Sequence, residues 1–154
     1  MMVRRGLNSL VVLNRQRGVK FEFGLVQRFA AEAYVRCAGL FPREGVGGGY
    51  MQLDEVVVTI VSDRRIDRIH RDFMAIEGAT DVITFEHGDV VVSADTALRE
   101  ALGRGYRVEV ELGLYVVHGF LHLNGFDDRS QAPREEMQRV QEVVWSEVRA
   151  GLGV

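Results

Sequence analysis

Apolar residues recur along this chain with two spacings, and the alternation between them predicts a sheet with helices packed against it. Runs rich in Val, Ile and Thr predict strands at residues 9–14, 55–61, 80–85 and 90–92. The near-continuous run at 55–61 is typical of a central strand. The last two runs are separated by the short turn E-H-G-D, and this spacing predicts that they pair antiparallel. We expect the strand at 90–92 to lie at the edge of the sheet, where it could guide the backbone of a substrate.

Between the strands, apolar residues recur every three or four positions, which is the period of a helix with one buried face. Helices are predicted at about residues 22–38, 62–74, 94–103 and 108–123, and from about 133 onward. Ser62 is the expected N-terminal cap of the second helix, and Pro133 suits the first turn of the last. The apolar stripe of the second helix is Ile66, Ile69 and Phe73.

The order of these elements, β-α-β-α-β-β-α-α-α, predicts the α+β class. We expect one domain over residues 1–154, with a small mixed four-stranded sheet and helices around it. A chain of 154 residues is long enough to bury a core of its own. It contains no internal repeat and no stretch with the composition of a linker.

Composition indicates an ordinary globular protein that stays in a reducing compartment. Hydrophobic residues make up 47% and charged residues 27% of the chain, and no apolar run approaches the roughly 18 residues of a membrane span. The single Cys37 excludes an internal disulfide and is expected to be a buried, small apolar residue. We therefore expect a cytoplasmic protein.

The charge is unevenly distributed, although the net value of −3 argues against a general nucleic-acid coat. Residues 1–20 contain basic residues and no acidic ones. On the second helix Arg64, Arg68 and Arg71 share one face, with aspartates interleaved. This pattern fits either a solvated helix with internal ion pairs or one side of a basic surface.

The most informative segment is residues 118–128, H-G-F-L-H-L-N-G-F-D-D. His118 and His122 are four apart in a predicted apolar helix, so their imidazoles lie on one face and are placed to bind one metal ion. Gly125 is expected to end the helix in the left-handed conformation and to return Asp127 and Asp128 towards the histidines. The expected metal ligands are His118, His122 and Asp128.

The spacing H-x-x-x-H-x-x-G-x-x-D is that of the metzincin zinc proteases, with Asp at the position of their third His. It predicts a zincin-like metal-bearing helix. Asp128 is preferred as third ligand because of its offset from His118. Asp127, His87 and His70 are progressively weaker alternatives, and a pair of purely structural histidines is the competing interpretation.

Three blocks in the order T-D-V-I-T-F at 80–85, G-D-V-V-V at 88–92 and H-G-F-L-H-L-N-G-F-D-D at 118–128 resemble the YbeY family of bacterial metal-dependent endoribonucleases. The resemblance covers about residues 56–145. Three positions depart from the family pattern. Asp128 stands where the family has a third His, and Phe126 stands where it usually has Tyr. Met74 aligns with a family Arg that has been thought to help catalysis, for which Arg71 is a possible substitute.

The resemblance implies a zinc-dependent endoribonuclease specific for single strands. It would act in maturation of small-subunit rRNA and in ribosome quality control, with one Zn²⁺ ion and with ribosomal proteins and assembly factors as partners. From the residues alone, a metal with three protein ligands keeps a position open for water and lowers the pKa of that water towards 7. The sequence identifies no catalytic general base.

Two other functions share parts of this pattern. A metalloprotease shares the ligand spacing, but Gly119 stands where a zincin has its catalytic Glu. A ribosome-associated binding factor with weak or no catalysis is favoured by the departures at Asp128 and Met74. Retention of a metal, together with chelator-sensitive cleavage of single-stranded RNA, distinguishes the nuclease from both.

Overall fold

The computed structural model describes residues 2–5, 8–45, 48–74 and 80–154. Its strands are β1 (Met2–Arg5), β2 (Asn8–Asn14), β3 (Glu55–Val61), β4 (Val82–Phe85) and β5 (Asp89–Ser93). Its helices are α1 (Phe23–Cys37), α2 (Asp63–Met74), α3 (Ala94–Arg104), α4 (Val108–Leu123) and α5 (Gln131–Leu152), and a 3₁₀ turn spans Gly49–Gln52.

The strands form one mixed sheet in the order β1-β2-β3-β5-β4. β2, β3 and β5 run parallel to one another, whereas β1 pairs antiparallel with β2 at one edge and β4 pairs antiparallel with β5 at the other. The α+β class with a mixed sheet is confirmed. The four predicted strands are all present, and the short β1 adds a fifth that the hydrophobic pattern did not predict.

The expected edge position of the strand at 90–92 is wrong. β5 lies between β3 and β4, and its Val90 and Val92 are fully buried. On this side of the sheet the edge strand is β4, whose Val82 and Thr84 pair with Val92 and Val90 of β5. A substrate that follows the sheet edge would therefore meet β4.

Alternation along the strands divides the core between the two faces of the sheet. Val58, Ile60, Val90 and Val92 contribute to the larger cluster, against which α1 and α4 pack. A smaller cluster on the other face holds Val61, Ile66, Ile83 and Val91, and involves α2. α4, which carries His118 and His122, and the arginine-rich α2 thus lie on opposite sides of the sheet.

Two glycines allow α4 to approach its neighbours closely. A Cβ on Gly119 would lie 2.4 Å from Val90 Cγ1, and one on Gly113 would lie 2.6 Å from the Phe29 ring. Both distances are shorter than any real carbon contact, so a larger side chain at either position would push the helix outward. Gly119 therefore fixes the distance between the helix that bears the histidines and β5.

Individual residues mostly occupy their expected environments. Cys37 is buried and free, and burial raises the pKa of its thiol to about 12. Ser62 accepts a hydrogen bond from the Arg65 amide at 3.2 Å, so the predicted cap of α2 is confirmed. No helix in the described part of the chain is long and apolar enough to cross a bilayer.

Candidate metal centre and cleft

α4 brings the imidazoles of His118 and His122 together near its C-terminal end. Their Nε2 atoms are 3.0 Å apart, and the side chains are 25% and 26% exposed, so the pair is open to solvent on one side. The i,i+4 spacing on a continuous helix accounts for this geometry. The expected convergence of the two ring nitrogens is present.

The turn after α4 is held by backbone geometry and by one buried amide. Gly125 has φ +99°, a conformation that favours glycine, and the Phe126 amide donates to the Leu121 carbonyl at 3.1 Å. Asn124 is buried, and its amide group donates to the carbonyls of Cys37 and Leu40. The turn is therefore fastened to the segment that follows α1.

This turn places Asp128 opposite the two histidines. Its Oδ2 lies 3.6 Å from His118 Nε2 and 3.5 Å from His122 Nε2, with the carboxylate side chain 43% exposed. Within the described part of the chain, His118, His122 and Asp128 form a group whose ligand atoms all lie within 4.8 Å of one another. Such a group could hold a metal ion.

The outer nitrogens of both rings contact oxygen atoms. His118 Nδ1 is 2.7 Å from Gln141 Oε1, and His122 Nδ1 is 2.9 Å from the Phe126 carbonyl oxygen. A carbonyl oxygen only accepts, so each Nδ1 carries a proton, and in the neutral ring each Nε2 then presents a lone pair. Two imidazole lone pairs and a carboxylate oxygen then face one point, an arrangement that a cation at that point stabilises.

The distances also suit a small divalent ion. Zinc binds imidazole nitrogen at about 2.0–2.1 Å and carboxylate oxygen at about 2.0–2.2 Å, so tetrahedral ligand atoms are about 3.3–3.5 Å apart. The three separations of 3.0, 3.5 and 3.6 Å lie close to this range. Burial of the ring, followed by repulsion from His122, lowers the pKa of His118, which favours the neutral form that binds a metal.

Asp127, the adjacent carboxylate, faces a different partner. Its Oδ1 and Oδ2 lie 3.0 and 3.1 Å from Arg129 Nε, and the hydrogen bond from the Arg129 side chain lowers the pKa of Asp127. The oxygens at the Nδ1 atoms of His118 and His122 come from Gln141 and from the Phe126 backbone, so Asp127 does not orient either ring.

The three groups open into a cleft of about 820 Å³ at the edge of the sheet. One side of it is formed by the turn after α4, and the other by β4 and the segment before it, with Thr84 and Glu86 among the lining residues. Asp81, from the T-D-V-I-T-F block, contributes another carboxylate to a lining that also holds Glu86, Asp127 and Asp128. The cleft size is within the usual range of about 300–1,000 Å³ for ligand sites.

The other residues considered from the sequence lie at different distances from this cleft. His70 lines it but is not part of the three-residue group. Arg71 is exposed, lies 3.7 Å from Asp67, and is not among the residues that line the cleft. His87 is exposed and pairs with Asp89 at 2.5 Å. Met74 ends α2, and its side chain lies outside the described part.

Sequence reasoning missed Gln141 and Asn124. Gln141 is 23 positions from His118, in a helix with no metal-binding motif, and only the packing of α5 on α4 brings them together. Asn124 lies inside the recognised motif, but its partners, Cys37 and Leu40, are more than 80 positions away. The only sequence signal for Asn124 was that it is a polar residue at the end of a predicted helix.

Comparison with known proteins points to one family. The family model described as endoribonuclease YbeY matches residues 41–149. A protein named endoribonuclease YbeY from Desulfitobacterium hafniense is 34% identical over 112 residues, covering 61% of this chain and 71% of the relative. One of the same name from Limosilactobacillus fermentum is 36% identical over 121 residues, covering 65% and 74%.

A longer alignment and a solved structure extend the similarity along the chain. The endoribonuclease YbeY of Alkaliphilus metalliredigens is 29% identical over 155 residues, covering 91% of this chain and 95% of the relative. The solution structure of TM1509 from Thermotoga maritima matches with a TM-score of 0.56 at 24% identity, covering 92% of this chain and 93% of that one. The structural match supports the fold.

Proposed function

The chain belongs to the YbeY family, and from that premise we propose that it is a metal-dependent endoribonuclease. The observation that carries the proposal is the convergence of His118, His122 and Asp128 in an open cleft. These residues would hold one ion, for which zinc is the proposed identity because two imidazoles and one carboxylate are ordinary zinc ligands. His118, His122 and Asp128 are the proposed ligand set.

Hydrolysis at this centre is supported by the chemistry of the ion and by two features of the chain. When bound, the ion supplies a Lewis acid for a phosphoryl oxygen and lowers the pKa of a bound water. Gln141 and the Phe126 carbonyl hold the two imidazoles in the tautomer that presents Nε2. The cleft is open along β4, so a chain without its own secondary structure has access to the centre.

The proposed substrate is single-stranded RNA, and more specifically rRNA of the small ribosomal subunit. The family name of the relatives supports RNA as the substrate class. A role in rRNA maturation and ribosome quality control, with ribosomal proteins and assembly factors as partners, follows from the resemblance of the sequence blocks. The single Cys37, which fits a reducing compartment, supports a cytoplasmic location.

Peptide hydrolysis is disfavoured by the surroundings of Gly119. This position would carry the catalytic Glu of a zincin, but its Cβ would point into Val90 at 2.4 Å. A glutamate there would extend into the sheet and away from the cleft, and could not take up a proton from water beside the ion. The chain therefore lacks the general base that a zincin protease uses.

The test compares one labelled single-stranded RNA in three preparations: protein with stoichiometric zinc, protein stripped by a chelator, and stripped protein resupplied with zinc. We expect internal cleavage in the first and third preparations only, and none for the double variant His118→Ala/His122→Ala with zinc. Neither histidine contributes to the apolar core, so circular dichroism of the double variant should match the wild type.

Two results would contradict the proposal. Cleavage that persists at full rate in the stripped protein would mean that the metal group is not the active centre. Tight RNA binding with zinc bound but no cleavage under any condition would instead support the binding-factor function. A casein-type peptide substrate in the same preparations tests the protease alternative.

A further inference from the structure

Three rings form an aromatic cluster at the end of the edge strand, and we call Phe73, Phe85 and His87 the Phe73 cluster. The Phe73 and Phe85 rings meet edge to face, with centroids 5.7 Å apart and planes at 80°. His87 stacks on Phe85 at 5.6 Å and 24°. Both geometries are favourable for aromatic pairs, so the three rings support one another.

Most of this cluster is exposed, in contrast to the expected apolar stripe of α2. Ile66 is fully buried in that stripe, but Phe73 is 72% exposed and the His87 side chain is 68% exposed. An aromatic ring left in water forgoes about 2 kcal/mol of burial. The hydrophobic pattern alone therefore does not account for the position of Phe73.

The cluster borders the metal cleft through two elements. On the β4 side, Glu86 lines the cleft and lies between Phe85 and His87, and Thr84, directly before Phe85, lines it as well. Because successive side chains of a strand point to opposite faces, the cluster lies across the sheet edge from the cleft. On α2, His70 lines the cleft and is one helical turn before Phe73.

We propose that the Phe73 cluster is a base-binding subsite, on which one nucleobase of a single-stranded RNA stacks while the neighbouring backbone lies in the metal cleft. The inference rests on the proposed function. Base stacking on aromatic side chains is tolerant of sequence and requires an exposed ring face beside the path of the backbone. Among the described residues no strand pairs with the outer side of β4. A substrate that crosses this edge meets such a face directly after leaving the cleft.

Fluorescence anisotropy of the zinc-loaded protein with a labelled single-stranded RNA tests this subsite. Phe73→Ala is expected to weaken binding about 5- to 150-fold, the range for loss of one stacked base. Phe73→Trp should retain the wild-type affinity for RNA, because the indole also offers a ring face. The fluorescence of this added tryptophan should be quenched when RNA binds. Phe73→Leu keeps an apolar side chain without a ring face and should behave like Phe73→Ala.

Leu102→Ala is the matched control, because Leu102 is 73% exposed on α3 and belongs to neither the cleft nor the cluster. Wild-type affinity in Phe73→Ala, or in Phe73→Leu, would overturn the subsite. Dimerisation that is lost in Phe73→Ala, with unchanged RNA affinity, would overturn it in favour of a protein contact. If the wild type cleaves RNA and Phe73→Ala leaves KM unchanged, the subsite proposal is wrong but the proposed nuclease function is retained.

Discussion

At the scale of single residues, the two adjacent aspartates Asp127 and Asp128 have separate roles. Asp128 lies within 3.6 Å of both Nε2 atoms, whereas Asp127 pairs with Arg129 at 3.0 Å. The sequence favoured Asp128 from its offset alone and could not exclude its neighbour. The turn at Gly125 decides which carboxylate faces the histidines.

Replacing each aspartate separately tests this difference. Asp128→Ala is expected to weaken zinc binding by more than about 100-fold, beyond the roughly 10–100-fold that loss of an outer hydrogen-bond partner causes. Asp127→Ala should change it little, and Asp128→His should retain the ion. Competition with a chromophoric chelator measures all three. Release of the metal by Asp127→Ala but not by Asp128→Ala would exchange the two assignments.

Gln141 is the second residue-scale prediction. Its Oε1 accepts from His118 Nδ1 and thereby fixes the tautomer and the ring orientation. Gln141→Ala is expected to weaken zinc binding about 10- to 100-fold without changing stoichiometry, and Gln141→Glu should preserve most of the affinity. Gln138→Ala, one turn earlier on the exposed side of α5, is the matched control. Equal affinities for the alanine variants of both glutamines would refute the role.

At the scale of elements, α2 and α3 are joined at their N-terminal ends. The Asp63 carboxylate accepts hydrogen bonds from Ser93 and Thr96 at 2.5 and 2.7 Å and pairs with Arg99 at 2.7 Å. Burial alone would raise the pKa of Asp63, but the hydrogen bonds from Ser93, Thr96 and Arg99 outweigh it and lower that pKa. The junction fixes α2 against the end of β5.

This lowered pKa predicts a pH-dependent contribution to stability. The contribution is complete above the unfolded-state pKa of about 3.9 and is lost as the pH falls through the lower folded-state value. Asp63→Asn should reduce the free energy of unfolding by roughly 1 kcal/mol at pH 7 and by progressively less below pH 4. Urea unfolding at pH 7, 5 and 3 measures the difference, with Asp54→Asn on an exposed turn as control. If the wild type and Asp63→Asn differed in free energy of unfolding by the same amount at every pH, the proposed contribution of Asp63 would be wrong.

Element positions were well predicted where the pattern is local. The bounds of β3 and α4 match the expected ranges 55–61 and 108–123, because a β-branched run and a long apolar helix each carry their own signal. The order of strands does not follow from such signals. β5 became an interior strand because it pairs with β3 as well as with β4, and that pairing depends on contacts distant in sequence.

At the scale of the whole molecule, the arginines of α2 are not among the residues that line the cleft, whereas Arg129 is. Arg64, Arg65 and Arg68 are exposed and form no ion pair among the described residues, whereas Arg71 pairs with Asp67. The Arg15 amide donates to the Ile60 carbonyl, so this exposed arginine follows β2 close to where β3 leads into α2. The side chains of Arg4 and Arg5 lie outside the described residues.

A basic surface that includes α2 predicts a salt-dependent affinity for RNA. Each neutralised phosphate of a single strand contributes about 0.7 to the slope of log affinity against log salt concentration. Arg68→Glu should lower both the affinity and this slope, by about 0.7 or more. Arg28→Glu on α1, on the opposite side of the sheet, should leave both unchanged. Identical slopes for the two variants would mean that the arginines of α2 are only solvated.

The proposed ligands could be predicted from the sequence, whereas the cleft around them could not. The three proposed ligands lie within 11 residues and form a local pattern, and a helix followed by a glycine turn reproduces their geometry without the rest of the fold. The cleft itself needs β4 opposite the turn after α4, and the Phe73 cluster needs α2 to end beside that same edge. Neither arrangement has a signature in the sequence, because both depend on the order in which distant strands pair.

Titration of zinc into the stripped protein tests whether RNA cleavage depends on one ion that His118, His122 and Asp128 would hold. Bound zinc and the rate of single-stranded RNA cleavage are measured in the same samples. We expect the rate to rise in proportion to zinc occupancy and to stop rising at one ion per chain, with no rise for Asp128→Ala at the same zinc concentrations. A rate that is independent of occupancy, or that reaches its maximum before the ion is bound, would contradict this dependence on the ion.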